Sequence, residues 1–125
     1  MTPTRARLLV ALGDDRMGML GVLERSGYDI ERAANLEEML QLVEKLPFDA
    51  LMVGEHFGAK GDAMRVLNAP LGELRAVVLG DTSVLHDQAL RDHPRVAAVV
   101  FWPFTLYELQ EALASAGIVG AHHGA

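Results

Sequence analysis

The hydrophobic positions of this chain fall into short runs separated by polar breaks and helical-spacing stretches. Arg7-Leu8-Leu9-Val10-Ala11-Leu12 is a near-continuous apolar run, of a length that suits a strand buried on both faces in a parallel sheet. Gly13-Asp14-Asp15 interrupts it, and either aspartate offers an oxygen to the free N–H groups of a following helix. That helix is expected from Arg16 to Arg25, with Met17, Leu20 and Leu23 on one side and Ser26-Gly27 as its stop. Asp29 to Ala33 reads as a short polar strand near a sheet edge. Asn35 then caps a second helix, with Glu38 placed for a capping-box-like pair. Leu36, Met39, Leu40 and Val43 follow the i, i+3, i+4, i+7 pattern there, and Pro47 ends it.

The second half repeats this alternation. Ala50-Leu51-Met52-Val53 is a buried strand, followed by a loop with Gly54, Gly58 and Gly61, a short helix near Asp62–Leu67 and a turn at Pro70-Leu71-Gly72. Ala76-Val77-Val78-Leu79 is a strand ended by Gly80, and a helix over Val84–Arg91 stops at Pro94. Val96–Phe101 is the last strand. The last helix opens on the capping box Thr105-x-x-Glu108, aligns Leu106, Leu109 and Leu113, and ends at Gly117. Five strands each followed by a helix force parallel pairing with right-handed crossovers. The expected fold is therefore α/β: a flavodoxin-like (βα)5 three-layer sandwich with strand order 2-1-3-4-5. One domain over residues 1–117 and a short flexible tail over 118–125 account for the chain.

Composition narrows the function classes. The chain has 125 residues, 50% apolar and 22% charged, which excludes intrinsic disorder. Seventeen acids against eleven Lys and Arg give a net charge of −6, so no basic stripe exists to hold nucleic acid. There is no Cys, hence no disulfide, thiolate nucleophile or Cys-built zinc site, and the expected location is cytoplasmic. No apolar run approaches the roughly 18–20 residues that span a bilayer, so no membrane role is expected. His56, His86, His93, His122 and His123 form no ligand pair at metal-binding spacing, and neither Gly54-x-x-x-Gly58 nor Gly58-Ala59-Lys60-Gly61 is a nucleotide fingerprint. No metal and no cofactor are expected.

Three stretches carry a resemblance. Phe48-Asp49-Ala50-Leu51-Met52-Val53 resembles the third strand of the receiver domains of bacterial response regulators, Ala89-Leu90-Arg91 fits their fourth helix, and Phe101-Trp102-Pro103-Phe104-x-x-x-Glu108-Leu109 resembles the junction of their fifth strand and helix. The resemblance runs from about Ala6 to Ala116. It implies a signal-transduction module of the chemotaxis-regulator type, from a two-component phosphorelay. In that family two acids after the first strand hold magnesium, an Asp ending the third accepts phosphate, and a Thr or Ser and a Lys bind the phosphoryl oxygens. The requirement is charge compensation, since an aspartyl phosphate needs a cation and donors around its oxygens.

At those positions this sequence reads Leu12 and Gly13 for the acid pair, Gly54 for the acceptor, Gly80 for the hydroxyl and Trp102 for the Lys. The expectation is a degenerate pseudo-receiver pocket, not an enzyme, acting by protein–protein contact. One alternative is a phosphoaccepting receiver that uses the displaced acids Asp14, Asp15 and Glu55, although a one-residue shift along a strand turns Glu55 to the opposite face. Helix capping is the competing reading of Asp14, Asp15, Asp81 and Thr82. A second alternative is a small ligand-binding protein or enzyme with Glu55 and His56 at the strand ends. The expected contact surface for a signalling partner or a second copy is the fourth helix–fifth strand–fifth helix face, with Trp102, Tyr107, His86 and Arg91. Trp102 has a competing role there, as a filler of the space left by the missing polar side chains.

Overall fold

The structure, a computed structural model, describes residues 6–13, 18–54, 57, 62–80 and 88–117. In chain order the elements are β1 (Arg7–Ala11), α1 (Met19–Arg25), β2 (Asp29–Arg32), α2 (Leu36–Lys45), β3 (Ala50–Gly54), α3 (Asp62–Leu67), β4 (Ala76–Gly80), α4 (Gln88–Arg91), β5 (Val96–Phe101) and α5 (Leu106–Ser115). The five strands pair in parallel, in the order β2-β1-β3-β4-β5 expected from the alternating pattern.

The apolar runs end up where both faces are covered. Every residue of β3 and β4 is buried, as is all of β1 after Arg7. Alternate residues feed two cores. Leu8, Val10, Met52, Val77 and Leu79 pack with Leu20 and Leu23 of α1 and Leu109 and Leu113 of α5. Leu9, Leu51, Val53 and Val78 pack on the other face with Met39, Val66, Leu67 and Leu90. Each buried aliphatic of this kind contributes about 1.5–3 kcal/mol, so the two faces hold the sheet far more firmly than any surface ion pair.

The edges differ in kind. β2 carries Asp29, Glu31 and Arg32, whereas β5 is uncharged throughout and only Val100 in it is buried. A register shift separates Ala76 from Val77 along the β4–β5 ladder.

Several local expectations change. α1 begins at Met19 rather than Arg16, and its N-cap is Gly18 at φ 65 with no side-chain cap; Asp14 and Asp15 lie outside the described residues. A left-handed N-cap suits glycine because no Cβ meets the next carbonyl. Asn35 Oδ1 does accept from the Glu38 N–H at 2.8 Å, but the Glu38 carboxylate takes the N–H of Ala34 at 3.3 Å, one residue before the cap. Gly54, expected in the loop after the third strand, is instead the last residue of β3, as Gly80 is of β4. Of the helix expected over Val84–Arg91, only Gln88–Arg91 falls within the described residues.

One residue outside the apolar pattern fixes the start of β5. Arg95 donates from Nε to the Leu67 carbonyl (2.9 Å), from Nη1 to Leu74 (2.8 Å) and Gly72 (3.2 Å), and from Nη2 to Ala69 (3.1 Å). A rigid fork with several donors suits four carbonyls in one turn-rich segment. Alongside it, the Arg95 N–H donates to His93 Nδ1 at 3.0 Å, which leaves His93 Nε2 to donate to Asn68 Oδ1 at 2.7 Å.

Candidate functional site

The register brings the C-terminal ends of four strands to one edge of the sheet. Ala11 is level with Val53, and Gly80 is level with Phe101. Leu12 follows β1, Gly54 and Gly80 close β3 and β4, and the N–H of Trp102 donates to the Gly80 carbonyl at 2.8 Å. The five positions singled out in the sequence, Leu12, Gly13, Gly54, Gly80 and Trp102, therefore share this edge.

Leu12 and Gly54 approach each other closely at this edge. A Cβ placed on Gly54 would lie 2.9 Å from Leu12 Cδ2, well inside van der Waals contact. The Leu12 side chain occupies the space into which an acceptor side chain on β3 would extend. Leu12 is 7% exposed and belongs to the core shared with α1 and α5, so its position is held by packing. Magnesium needs oxygen ligands, and Leu12, Gly13 and Gly54 bring no side-chain oxygen, so these residues do not fit the ion. No cluster of metal-ligating side chains occurs among the described residues. Asp14, Asp15, Glu55, His56, Asp81, Thr82 and His86 lie outside the described residues, as do His122 and His123.

A shallow cleft of about 480 Å³ opens beside this edge, lined by Leu12, Gly13, Arg32, Ala33, Ala34, Glu38 and Phe57. Arg32 Nη2 donates to the Leu12 carbonyl at 3.4 Å across its mouth. Phe57 had no role in the sequence reading. It is 2% exposed, and its N–H donates to the Gly54 carbonyl at 3.0 Å, so it closes over the end of β3. Its one sequence signal was an aromatic in an otherwise small and polar loop.

The aromatic cluster divides. Trp102 is half-buried and packs with Phe104 against the core shared with α1 and α5, the two ring centroids 4.3 Å apart at 37°. Part of the Trp102 surface is therefore packed and part is open. Tyr107 is 69% exposed in the first turn of α5, and a hydrogen bond to Glu111 together with that residue's charge raises its phenol above the ordinary 10.0. Phe101 and Leu106, each 36% exposed, extend the apolar surface at this end. Arg91 is in the last turn of α4, which packs beside β5. The Arg91 Nε is buried without a hydrogen-bond partner.

No protein-family model matches the sequence, and no curated protein matches it either. Solved structures do. A sensor protein from Polaromonas sp. JS666 is similar at TM-score 0.74 and 21% identity, over 90% of this chain and 96% of that one. The receiver domain of a sensor histidine kinase from Pseudomonas aeruginosa, which holds a magnesium ion in its active site cleft, is similar at TM-score 0.72 and 16% identity, over 90% and 98%. A chemotaxis response regulator of Vibrio cholerae is similar at TM-score 0.69 and 17% identity, over 90% and 99%. The chain has the fold of response-regulator receiver domains. No helix among the described residues is long and apolar enough to cross a membrane.

Proposed function

We propose that this chain is a receiver-fold signalling module that is not phosphorylated, is not an enzyme and acts by protein–protein contact. The observation that carries the reading is Leu12 lying in the space above Gly54. An aspartyl phosphate needs a carboxylate there, a cation beside it and donors around its oxygens, and the matching positions hold Leu12, Gly13, Gly54, Gly80 and Trp102. The contact surface is the end of β5 and the first turn of α5, with Trp102 and Tyr107 as its anchors and a protein partner or a second copy as its occupant. Exposed Tyr107, Phe101 and Leu106 support this, since large rigid apolar side chains dominate interface energetics.

Incubation with acetyl phosphate and magnesium, followed by intact-mass measurement, tests the first half. The mass stays unchanged. A stable added phosphate, or a shift induced by beryllofluoride, would overturn the proposal and point to Asp14, Asp15 or Glu55. The cleft between Arg32 and Glu38 supports a second reading, a small-ligand module on the same sheet. A thermal-shift screen against nucleotides, flavins and divalent metals decides it, because a ligand that binds only the folded state raises Tm by several degrees.

A further inference from the structure

We propose that the outer edge of β5 is a strand-addition site, and that its occupant is a second copy of this chain paired antiparallel about Val100. The inference rests on the protein-contact reading above and assigns its mode.

Three observations carry it. The first is hydrogen-bond direction. The Trp102 N–H points to β4, where it donates to Gly80. Main-chain groups alternate sides along a strand, so those of Val99 and Phe101 point away from β4, and among the described residues β5 is the last strand of the sheet on this side. The second is the contrast between the edges. Sheets guard exposed edges with charge, proline, brevity or a bulge, and the register shift of β5 lies between Val96 and Ala98, before the Val99–Phe101 segment. β2 does so with Asp29, Glu31 and Arg32, while Val96–Phe101 is six uncharged residues with neither proline nor glycine. The third is the flank: Phe101, Leu106 and Tyr107, the large exposed apolar side chains among the described residues, all lie between the last residue of β5 and the first turn of α5, the helix that follows it.

A second copy satisfies all three at once. With the two-fold axis at Val100, Val99 of each copy faces Phe101 of the other, so both outward residues on both strands exchange their N–H and C=O groups. No charged side chain of the strand meets a like charge, which matters for a molecule of net charge −6. The apolar flanks become covered by the same association, and the product is a continuous ten-stranded sheet.

Sedimentation velocity from micromolar to millimolar concentration should show a monomer–dimer equilibrium. Val99→Pro should shift it to monomer with an unchanged circular dichroism spectrum, because proline removes an N–H that β4 does not use. Hydrogen exchange supplies the second measurement should that variant fold poorly. In the wild type, the Val99 and Phe101 amides should slow at least tenfold as concentration rises. A chain that stays monomeric to millimolar concentration overturns the proposal. So does a dimer in which these two amides exchange as fast as in the monomer. If Tyr107→Ala disperses that dimer while a folded Val99→Pro does not, docking is through the helix face, and the broader contact reading stands without strand addition. Protection of both amides only in complex with an extended peptide would replace the second copy as occupant.

Discussion

Arg95 shows how one side chain can organise a region that carries no pattern of its own. Its four carbonyl partners lie 21 to 28 residues earlier in the chain. A contact at that separation leaves no mark in local periodicity, so the sequence reading gave Arg95 no role. Hydrogen bonds to a charged group contribute about 1.5–3 kcal/mol each when buried, and this one is only partly buried. Arg95→Met should therefore lower the unfolding free energy in urea by about 2–4 kcal/mol, and Arg95→Lys, with its donors on a single nitrogen, should recover less than half of that loss. Tyr28 makes a second residue-scale case. Burial raises its phenol above the ordinary 10.0, and a hydrogen bond with Gln110 offsets part of the rise. The raised folded value means that stability is full below pH 10 and falls as pH climbs from the unfolded value through the folded one. Alkaline melts of the wild type should drop in Tm through that window, and those of Tyr28→Phe should drop less.

At the scale of elements, legibility follows how local the physics is. The α5 cap reads directly from Thr105-x-x-Glu108, and it forms as written: the Glu108 N–H donates to Thr105 Oγ1 and the Thr105 N–H to Glu108 Oε1, both at 3.1 Å. Both partners sit within one turn, so four letters contain the whole interaction. α1 has no such box; its start depends on the backbone at Gly18, and polar letters nearby suggested the wrong boundary. The Trp102–Tyr107 pair belongs at this scale too, because the junction of β5 and α5 gives its members different tasks. Trp102→Ala should lower stability by about 2 kcal/mol, roughly half the loss for a fully buried aromatic. Tyr107→Ala should leave stability within about 0.5 kcal/mol and weaken association by about 1–3 kcal/mol. Chemical denaturation and a binding titration of both variants separate the two tasks. Equal stability losses would mean that Tyr107 is packed as Trp102 is.

For the whole molecule, the sheet was legible because a residue buried on both faces must be apolar, and β1, β3 and β4 obey that rule at nearly every position. The candidate site was legible as a set of positions and not as a contact. Leu12 and Gly54 are 42 residues apart in sequence and meet only because β1 and β3 are neighbours in the sheet. Their meeting predicts a measurable coupling. Gly54→Asp alone should cost about 1–3 kcal/mol from overpacking, with a further penalty for the buried carboxylate. In the background of Leu12→Ala, part of that loss should disappear, giving a coupling of about 0.5–3 kcal/mol in a double-mutant cycle. Additive losses would show that Leu12 moves aside freely.

The same contact orders the routes by which this chain can change. Acquiring an acceptor at position 54 first meets a neighbour that must yield, while trimming position 12 first opens a cavity in a packed core. Each single step is expected to cost stability, and changing both positions recovers part of the loss. The two strand ends therefore vary as a pair, and a library that varies codons 12 and 54 together should yield more stable carboxylate variants than one that varies codon 54 alone.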